Sequence, residues 1–105
     1  MEDRVNHKLP IEIPPDQIAH FCDRHRILKL SLFGSILRED FDSNSDIDVL
    51  VEFELNHVPG LIRLAGMEIE LTEILGRKVD LRTPEDLSHY FRQKVLDSAL
   101  IQYIH

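Results

Sequence analysis

The stretch LFGSILREDFDSNSDIDVLVEF, residues 32–53, decides how this chain folds and what chemistry it can carry. Within it, Gly34-Ser35 ends one apolar segment, and Asp46 and Asp48 begin a second apolar segment after a gap of ten residues. Side chains two residues apart on a strand point to the same face, so the two aspartates project together while the residue between them faces the core. The spacing therefore predicts paired carboxylates beside a glycine turn.

Acidic side chains placed in this way are suited to bind a divalent cation. Two neighbouring carboxylates repel each other unless a cation lies between them, and hard oxygen ligands of this type suit Mg²⁺. A third acid, Asp80, is flanked by Val79 and Leu81 and can join the same face from a neighbouring strand. Three such carboxylates can hold two metal ions about 4 Å apart. We therefore predict Asp46, Asp48 and Asp80 as metal ligands and catalytic residues.

The glycine turn supplies the complementary groups for a phosphate. Gly34 lets the backbone approach phosphate oxygens closely, and the hydroxyl of Ser35 and the N–H groups at a helix start bind anionic oxygens. Arg38, one turn later, adds a positive charge for a β- or γ-phosphate. Ser45 is a turn residue that helps to set the start of the following strand. We predict these four residues as the nucleotide-binding set.

Each of these features has a more ordinary interpretation when it is taken alone. An Asp-x-Asp pair is usually a solvated strand face, and Gly-Ser is usually a turn. A single aspartate such as Asp80 is more often a surface residue of a strand, and an arginine on a short helix is commonly exposed. The combination of all of them, in this order and spacing, favours a catalytic or nucleotide-binding function.

Length and composition predict one small domain. The chain has 105 residues, of which 43% are hydrophobic and 30% are charged, as in an ordinary globular protein. We interpret residues 1–13 as an N-terminal arm and residues 14–105 as the folded domain. No apolar run approaches the roughly 20 residues that span a bilayer, and the N-terminus has no secretion signal. A single cysteine, Cys22, excludes an internal disulfide and favours a cytoplasmic location.

The charge narrows the range of partners. The formal net charge is −7, and an acidic surface does not attract a long phosphate backbone, so stable nucleic-acid binding is not expected. A small triphosphate differs, because metal ions can bridge it to carboxylates. A basic partner protein would also suit this charge. The six histidines are scattered, and none pairs with Cys22 at a usual zinc spacing, so a structural or solvated role is favoured for them.

The hydrophobic pattern predicts an α/β domain with the order helix, strand, strand, helix, strand, helix. The predicted elements are a helix beginning at Pro14-Pro15-Asp16, a strand from Ile27 to Phe33, a helical turn around Ile36 to Glu39, a strand from Asp46 to Phe53, a loop from Asn56 to Gly60, a helix from Leu61 to Leu75 ended by Gly76, and a strand from Lys78 to Arg82. Thr83 is predicted as the N-cap of a final helix. Its apolar face comprises Leu87, Tyr90, Phe91, Val95, Leu96, Ala99 and Leu100.

Residues 32–53 resemble the Gly-Ser, ten-residue gap and Asp-x-Asp motif of the nucleotidyltransferase superfamily with the DNA polymerase β fold. The later segment VDLRTPEDL, residues 79–87, is similar to the third-carboxylate strand and following helix of its minimal members. The resemblance runs from about Leu28 to the C-terminus. It implies a small mixed β-sheet flanked by helices. One departure is Glu39, which stands where many minimal members have glycine.

The resemblance also implies a role for each matching residue. Gly34 and Ser35 would contact the triphosphate, and Asp46 and Asp48 would bind the metal. Asp80 would be the third carboxylate, which either ligates a metal ion or activates the acceptor. All three acids of the motif are present, and this favours an active enzyme.

Minimal nucleotidyltransferases similar to this chain are commonly antitoxins paired with a HEPN-type ribonuclease toxin. The resemblance implies Mg²⁺-dependent transfer of AMP from ATP to a tyrosine hydroxyl of that toxin. Larger superfamily members carry a further domain that holds the acceptor, and we expect another chain to complete the acceptor site here. The sequence leaves open the acceptor's identity, the preferred nucleotide, the number of units transferred and the oligomeric state.

Two alternatives belong to other classes. The chain would be a non-catalytic antitoxin if it neutralised its partner by covering it, with Leu100, Ile101, Tyr103 and Ile104 as an apolar interface. Alternatively, it would transfer a nucleotide to a small molecule, although the missing acceptor domain disfavours that reaction. Tyr90 and Tyr103 are expected to pack in the fold or to line an interface.

Overall fold

A computed structural model describes residues 9–105 of the chain. Its helices are α1 (Pro15–Arg24), α2 (Leu61–Leu75) and α3 (Arg92–Ser98), its strands are β1 (Ile27–Phe33), β2 (Ile47–Phe53), β3 (Val79–Arg82) and β4 (Leu100–Ile104), and 3₁₀ turns span Gly34–Leu37 and Pro84–Asp86. The first five predicted helices and strands are therefore confirmed. The predicted arm falls partly on residues 1–8, which lie outside the described range, so its boundary stays a prediction.

The four strands form one mixed sheet in the order β3-β2-β1-β4. β1 pairs antiparallel with β2 and β4, whereas β2 pairs parallel with β3. A parallel pair needs a crossover connection, and α2 provides it. This arrangement places β2, which follows the Gly-Ser turn and begins after Asp46, at an inner position beside β3.

The hydrophobic core lies between α1, α2 and one face of the sheet. Phe21 of α1 and Leu71 of α2 are completely buried, as are Ile47 and Val49 of β2. Because strand side chains alternate, the residue between Ile47 and Val49, Asp48, points to the opposite face. The core therefore decides which face of the sheet carries the acidic residues.

Both long helices have the ends that their sequences predict. Pro15 lies at the start of α1, where its missing N–H costs nothing, and Asp16 and Arg24 lie in the first and last turns as the helix dipole favours. α2 ends at Gly76, which adopts φ 72° in the left-handed region. Glycine tolerates this conformation, so it stops the helix just before β3. Within the described residues, no helix is long and apolar enough to cross a membrane.

The predicted final helix is wrong over most of its length. Thr83 is an N-cap as predicted and forms a capping box with Asp86, but the helical turn that follows is only the short 3₁₀ turn, after which Leu87 is extended. None of the seven residues predicted as the apolar helix face is buried, and Tyr90 is 87% exposed. Ser88-His89-Tyr90 are poor helix formers, which explains the break before α3.

Residues Leu100–Ile104 form a strand that the sequence analysis missed. β4 is rich in β-branched and aromatic side chains, and it pairs with β1 along an edge that would otherwise expose unpaired peptide groups. Leu100 was predicted to be helical and instead pairs with Leu32. Tertiary pairing with a distant strand therefore overrides the helical spacing of these residues.

Leu71→Ala should destabilise the fold strongly, because Leu71 is fully buried between α2 and the sheet. We expect a loss of about 2–5 kcal/mol in the free energy of unfolding, measured by urea denaturation. Ile62→Ala on the same helix is the matched control, since Ile62 is 91% exposed and its loss should cost less than about 0.5 kcal/mol. Equal losses for both variants would contradict the described position of α2.

Candidate active site

The parallel pairing of β2 and β3 brings two of the predicted acids side by side. Asp48 and Asp80 are direct partners in the strand register. Asp46 lies one residue before β2 and two residues before Asp48, so it is on the same side of the chain. The three predicted carboxylates therefore gather where β2 and β3 begin.

The glycine turn packs directly against this acidic group. Phe33, the last residue of β1, is the register partner of Asp48, so the turn that begins at Gly34 starts beside that carboxylate. Gly34 has φ 78°, and a Cβ atom at this position would overlap Oδ2 of Asp48 and lie 3.1 Å from its Cγ. Both the backbone conformation and the lack of space require glycine here. Ser35 follows within the turn and is half-buried.

The charges of the site are partly compensated by basic side chains from β3 and its flank. Lys78 Nζ lies 3.7 Å from Asp46 Oδ2, and Arg82 Nη2 donates a hydrogen bond of 3.1 Å to Asp80 Oδ2. This hydrogen bond and the nearby negative charge raise the pKa of Arg82. Asp46 and Asp80 are therefore each paired with a cation on the outer side of the group.

Asp48 is the least compensated of the three acids. Its half-buried position raises the pKa of the Asp48 carboxyl, and the negative charges of Asp80 and Asp46 raise it further. Arg82 and Arg38 oppose the rise. A carboxylate in this environment favours the approach of a proton or of a metal cation.

The carboxylate oxygens of the three acids suit Mg²⁺. Although the three residues are neighbours, their side chains are not arranged around a common metal position. Among residues 9–105, no three acidic, histidine or cysteine side chains are arranged to hold a metal ion. Asp46 and Asp80 instead form ion pairs with Lys78 and Arg82. Carboxylate oxygens remain the ligands that this cation prefers. The metal-binding role of the three acids stays a prediction.

The loop before Asp46 is held by its own hydrogen bonds. The hydroxyl of Ser45 accepts a hydrogen bond from the N–H of Asp42 at 3.0 Å and donates one to its Oδ1 at 3.2 Å. The hydroxyl of Ser45 therefore supports the turn, in agreement with its predicted turn chemistry. The structure does not test its assignment to the nucleotide-binding set.

Arg77, which the sequence analysis did not single out, fixes this loop from the other side. Its Nη2 donates hydrogen bonds of 2.6 Å to the carbonyl oxygens of Asp42 and Ser45, and its guanidinium lies 4.7 Å from the centroid of the Phe41 ring. An arginine that satisfies two turn carbonyls and stacks on an aromatic ring is rigidly placed. The nearby Asp-Ser-Asn-Ser turn was the available signal, since its carbonyl groups need donors.

A cavity of about 480 Å³ opens beside the glycine turn. It lies between the 3₁₀ turn, α3 and β4, and it is lined by Phe33, Gly34, Leu37, Arg38, Lys94, Val95, Ser98 and Leu100. Its wall is mostly apolar, with Arg38 and Lys94 as the positively charged lining residues. Because Gly34 borders the cavity and touches Asp48, the cavity adjoins the acidic group.

Arg38 lines this cavity, but its side chain is mostly exposed and forms a hydrogen bond elsewhere, so its predicted phosphate contact stays a prediction. Arg38 is 61% exposed, and its Nε donates a hydrogen bond of 3.2 Å to Oδ1 of Asp40. The two polar residues of α3 that line the cavity, Lys94 and Ser98, were missed because this segment was interpreted as a helix facing the core. Because α3 is short and is followed by β4, Lys94 and Ser98 lie at the cavity and not in the core.

Gly34→Ala should destabilise the protein by about 1–3 kcal/mol, because alanine disfavours the left-handed conformation and its Cβ would overlap Asp48. Chemical denaturation measures this loss. Gly66→Ala is the matched control, since Gly66 lies within α2 with open space around it and alanine should stabilise the helix by about 1 kcal/mol. A Gly34→Ala protein as stable as the wild type would disprove the close contact.

Asp48→Asn should raise the thermal unfolding midpoint of the metal-free protein near pH 7. The folded-state pKa of Asp48 is raised, so its protonated form favours folding, and this contribution is lost as the pH rises through the folded pKa. The advantage of the variant should therefore shrink as the pH falls toward about 4. Thermal melts in the presence of a chelator measure it, with the exposed Asp23→Asn as control. A midpoint below that of the wild type at neutral pH would contradict this assignment.

Comparison with known proteins identifies the family. Residues 16–101 match the family model of the nucleotidyltransferase domain. The "Putative protein adenylyltransferase MJ1379" of Methanocaldococcus jannaschii is 34% identical over 79 residues, which cover 75% of this chain and 79% of that protein. The "Protein adenylyltransferase MntA" of Thermococcus cleftensis is 32% identical over 74 residues, 70% of this chain and 73% of that protein.

Solved structures share the fold. A structure described as a "putative minimal nucleotidyltransferase" matches with a TM-score of 0.68 and 30% identity over 82% of this chain and 86% of that one. A toxin–antitoxin structure with AMP-PNP matches with a TM-score of 0.71 over 89% of this chain and 75% of that one, and its 21% identity supports the fold alone. The family match, the two related sequences and the Gly34–Asp48–Asp80 geometry agree, and the chain belongs to the nucleotidyltransferase domain family.

Proposed function

We propose that this chain transfers AMP from ATP to a hydroxyl group of a partner protein, in a reaction that depends on Mg²⁺. The observation that carries the proposal is the direct pairing of Asp48 with Asp80, with the turn at Gly34 packed against the Asp48 carboxylate. In this geometry the backbone at Gly34 leaves room for a phosphate group to approach. The neighbouring carboxylates can bind a metal ion and accept a proton. Two related sequences are named protein adenylyltransferases, and this supports AMP as the transferred group and a protein as the acceptor.

The nucleotide fits the cavity beside the glycine turn. Its volume of about 480 Å³ is in the range of small-molecule sites, and its apolar wall suits a flat base. Arg38 and Lys94 would attract the phosphates, while Gly34 and Ser35 would let them approach the backbone. The triphosphate would then lead from the cavity toward Asp48. The AMP-PNP complex of the structural neighbour supports a nucleoside triphosphate as the ligand of this fold.

Mg²⁺ would be held by Asp46 and Asp48, with Asp80 at the same edge. When bound, the ion supplies charge neutralisation for the phosphates and for the leaving group. Lys78 and Arg82 keep the carboxylates in place before binding, because each forms an ion pair with an acid at the end of the group. The Asp48 carboxylate, which lacks such an ion pair among the described residues, is the best placed to accept new positive charge.

The chemical step is an in-line displacement at the α-phosphorus. The acceptor hydroxyl oxygen forms a new P–O bond, and the bond from the α-phosphorus to the bridging oxygen breaks, so that pyrophosphate leaves. The hydroxyl proton passes to the Asp80 carboxylate. Arg82 orients that carboxylate through its 3.1 Å hydrogen bond, leaving the second carboxylate oxygen available for the acceptor. The products are the AMP-modified acceptor and pyrophosphate.

The acceptor that we propose is a tyrosine of a HEPN-type ribonuclease toxin, for which this chain would act as cytoplasmic antitoxin. Support comes from structural neighbours that are toxin–antitoxin complexes, one of them containing an AMP-modified HEPN toxin with its antitoxin. The net charge of −7 suits a basic RNA-binding partner. An AMP group on the tyrosine would add negative charge and bulk, which would keep RNA out of the toxin's site.

A second candidate function is neutralisation by binding alone. The connection from β2 to α2 exposes four large apolar side chains, Leu55, Val58, Leu61 and Ile62, each at least 66% exposed. A cluster of this kind is typical of a protein-binding surface. The interface predicted at the C-terminus is less favoured, since Tyr103 packs against the core and only Ile101 and Ile104 of the four predicted residues are exposed.

The decisive experiment combines the chain with ATP, Mg²⁺ and the protein encoded beside it, followed by intact mass measurement. We expect the partner to gain the mass of AMP, and the Asp46→Asn, Asp48→Asn double variant to abolish this gain while still binding the partner. Removal of Mg²⁺ by chelation should have the same effect. Transfer by the double variant at the wild-type rate would refute the catalytic assignment of these acids.

A control variant separates the candidate functions. Asp23→Asn changes an exposed acid on α1 and should preserve both binding and AMP transfer. If the double variant loses transfer but still neutralises the partner, then neutralisation occurs by occlusion. If ATP is consumed only when small-molecule hydroxyl compounds are added, then the acceptor is a small molecule instead of a protein.

A further inference from the structure

Two side chains of α2 contact the outer edge of β3, on either side of Asp80. Thr72 Oγ1 accepts a hydrogen bond of 3.1 Å from the N–H of Val79, and Glu68 Oε2 accepts one of 2.7 Å from the N–H of Leu81. The Thr72 hydroxyl in turn donates to the carbonyl oxygen of Glu68 at 2.9 Å. We call the pair Glu68 and Thr72 the α2 clamp.

The clamp is possible because the spacing of residues four apart on a helix is close to the spacing of residues two apart on a strand. Residues four apart on a helix are separated by about 6.0 Å along its axis. Residues two apart on a strand are separated by about 6.6 Å. Glu68 and Thr72 therefore reach Leu81 and Val79, whose peptide groups point to the same side of β3. The fit is geometric and involves two independent hydrogen bonds.

The opposite side of β3 is held by β2. The N–H of Ile47 donates to the carbonyl oxygen of Lys78 at 2.9 Å, and Asp80 is paired with Asp48 in the parallel ladder. Peptide groups alternate in direction along a strand, so those of Lys78 and Asp80 face β2 while those of Val79 and Leu81 face outward. The segment from Lys78 to Leu81 therefore has hydrogen-bond partners on both sides.

The position of β3 needs support because Asp80 of β3 is repelled by Asp48 of β2. Asp48 and Asp80 carry like charges in adjacent positions, and their repulsion acts to separate the two strands. A four-residue edge strand has few ladder hydrogen bonds to resist this force. The outward N–H groups of Val79 and Leu81 would also lose these hydrogen-bond partners if the clamp were removed.

We propose that Glu68 and Thr72 are positioning residues for the reaction: by bonding the peptide groups on both sides of Asp80, they hold its carboxylate opposite Asp48. This inference rests on the proposed AMP transfer, and it adds two residues that act through the backbone of β3 without touching the substrate. Glu68 acts here as a hydrogen-bond acceptor, and neither a negative charge nor a proton transfer is required of it.

The test compares variants that keep or remove the acceptor. Glu68→Gln retains a carbonyl oxygen for Leu81, whereas Glu68→Leu removes it. Thr72→Ser retains the hydroxyl for Val79, whereas Thr72→Val removes it at similar volume. Glu73→Leu makes the same change as Glu68→Leu at an exposed position of the same helix and serves as the matched control.

The first measurement is amide hydrogen exchange, which does not depend on any enzymatic activity. The Leu81 amide should exchange about tenfold faster or more in Glu68→Leu, and the Val79 amide likewise in Thr72→Val, with near wild-type protection in the Gln and Ser variants. Unchanged protection in both acceptor-removing variants would overturn the proposal.

The second measurement is the steady-state rate of AMP transfer to the partner protein. We expect kcat to fall about tenfold to hundredfold in Glu68→Leu and Thr72→Val, because a misplacement of about 1 Å costs this much. The KM for ATP should stay within about twofold, since the cavity is untouched, and the Gln and Ser variants should recover most of the rate. If Glu68→Leu does not fold, Thr72→Val carries the same test.

The outcomes separate this inference from the proposed function. If the wild type transfers AMP and the acceptor-removing variants match it, or if Glu68→Gln is as impaired as Glu68→Leu, the positioning role is wrong. If the wild type transfers no AMP under any condition while the exchange pattern is as expected, the clamp exists but the proposed reaction fails.

Discussion

The repulsion between Asp48 and Asp80 is the constraint on which the rest of the site depends. Parallel pairing of β2 and β3 places these acids side by side, although like charges in a half-buried setting favour separation. The fold offsets this cost with neighbouring cations and with hydrogen bonds that hold β3 on both sides. A cation bound beside the two carboxylates would reduce their repulsion, and perturbed carboxyl groups of this kind are common at functional sites.

The glycine turn lies between this acidic group and the cavity that we propose for the nucleotide. Gly34 lies between Asp48 and the cavity wall, so one residue without a side chain brings the backbone close to both. Arg77 fixes the loop that precedes Asp46 through two carbonyl groups, and α2 supplies the contacts beyond Asp80. The three acids that we predict to be catalytic therefore depend on supporting residues that lie in quite different parts of the sequence.

The proposed reaction needs an acceptor hydroxyl in addition to the nucleotide and the cation. Among the described residues, the cavity and the acidic edge would hold the proposed nucleotide and cation, and the exposed apolar side chains at the β2–α2 connection would contact the proposed partner protein. Transfer to a partner protein and neutralisation by binding are therefore related possibilities on the same scaffold. In AMP transfer, contact with the partner protein would bring its hydroxyl group to the acidic edge. In neutralisation by binding, the contact alone would block the partner.

The sequence by itself determined the elements from α1 to β3 and the candidate acids, because these depend on local periodicity and on the fixed spacing of Gly34-Ser35 and Asp46-Ile47-Asp48. Tertiary structure decided the rest. The helical spacing after Thr83 was misleading because pairing with β1 stabilises Leu100–Ile104 as a strand. The contacts of Glu68, Thr72 and Arg77 join residues up to 35 positions apart. No local pattern predicts such contacts, since they exist only once helix, loop and strand are packed together.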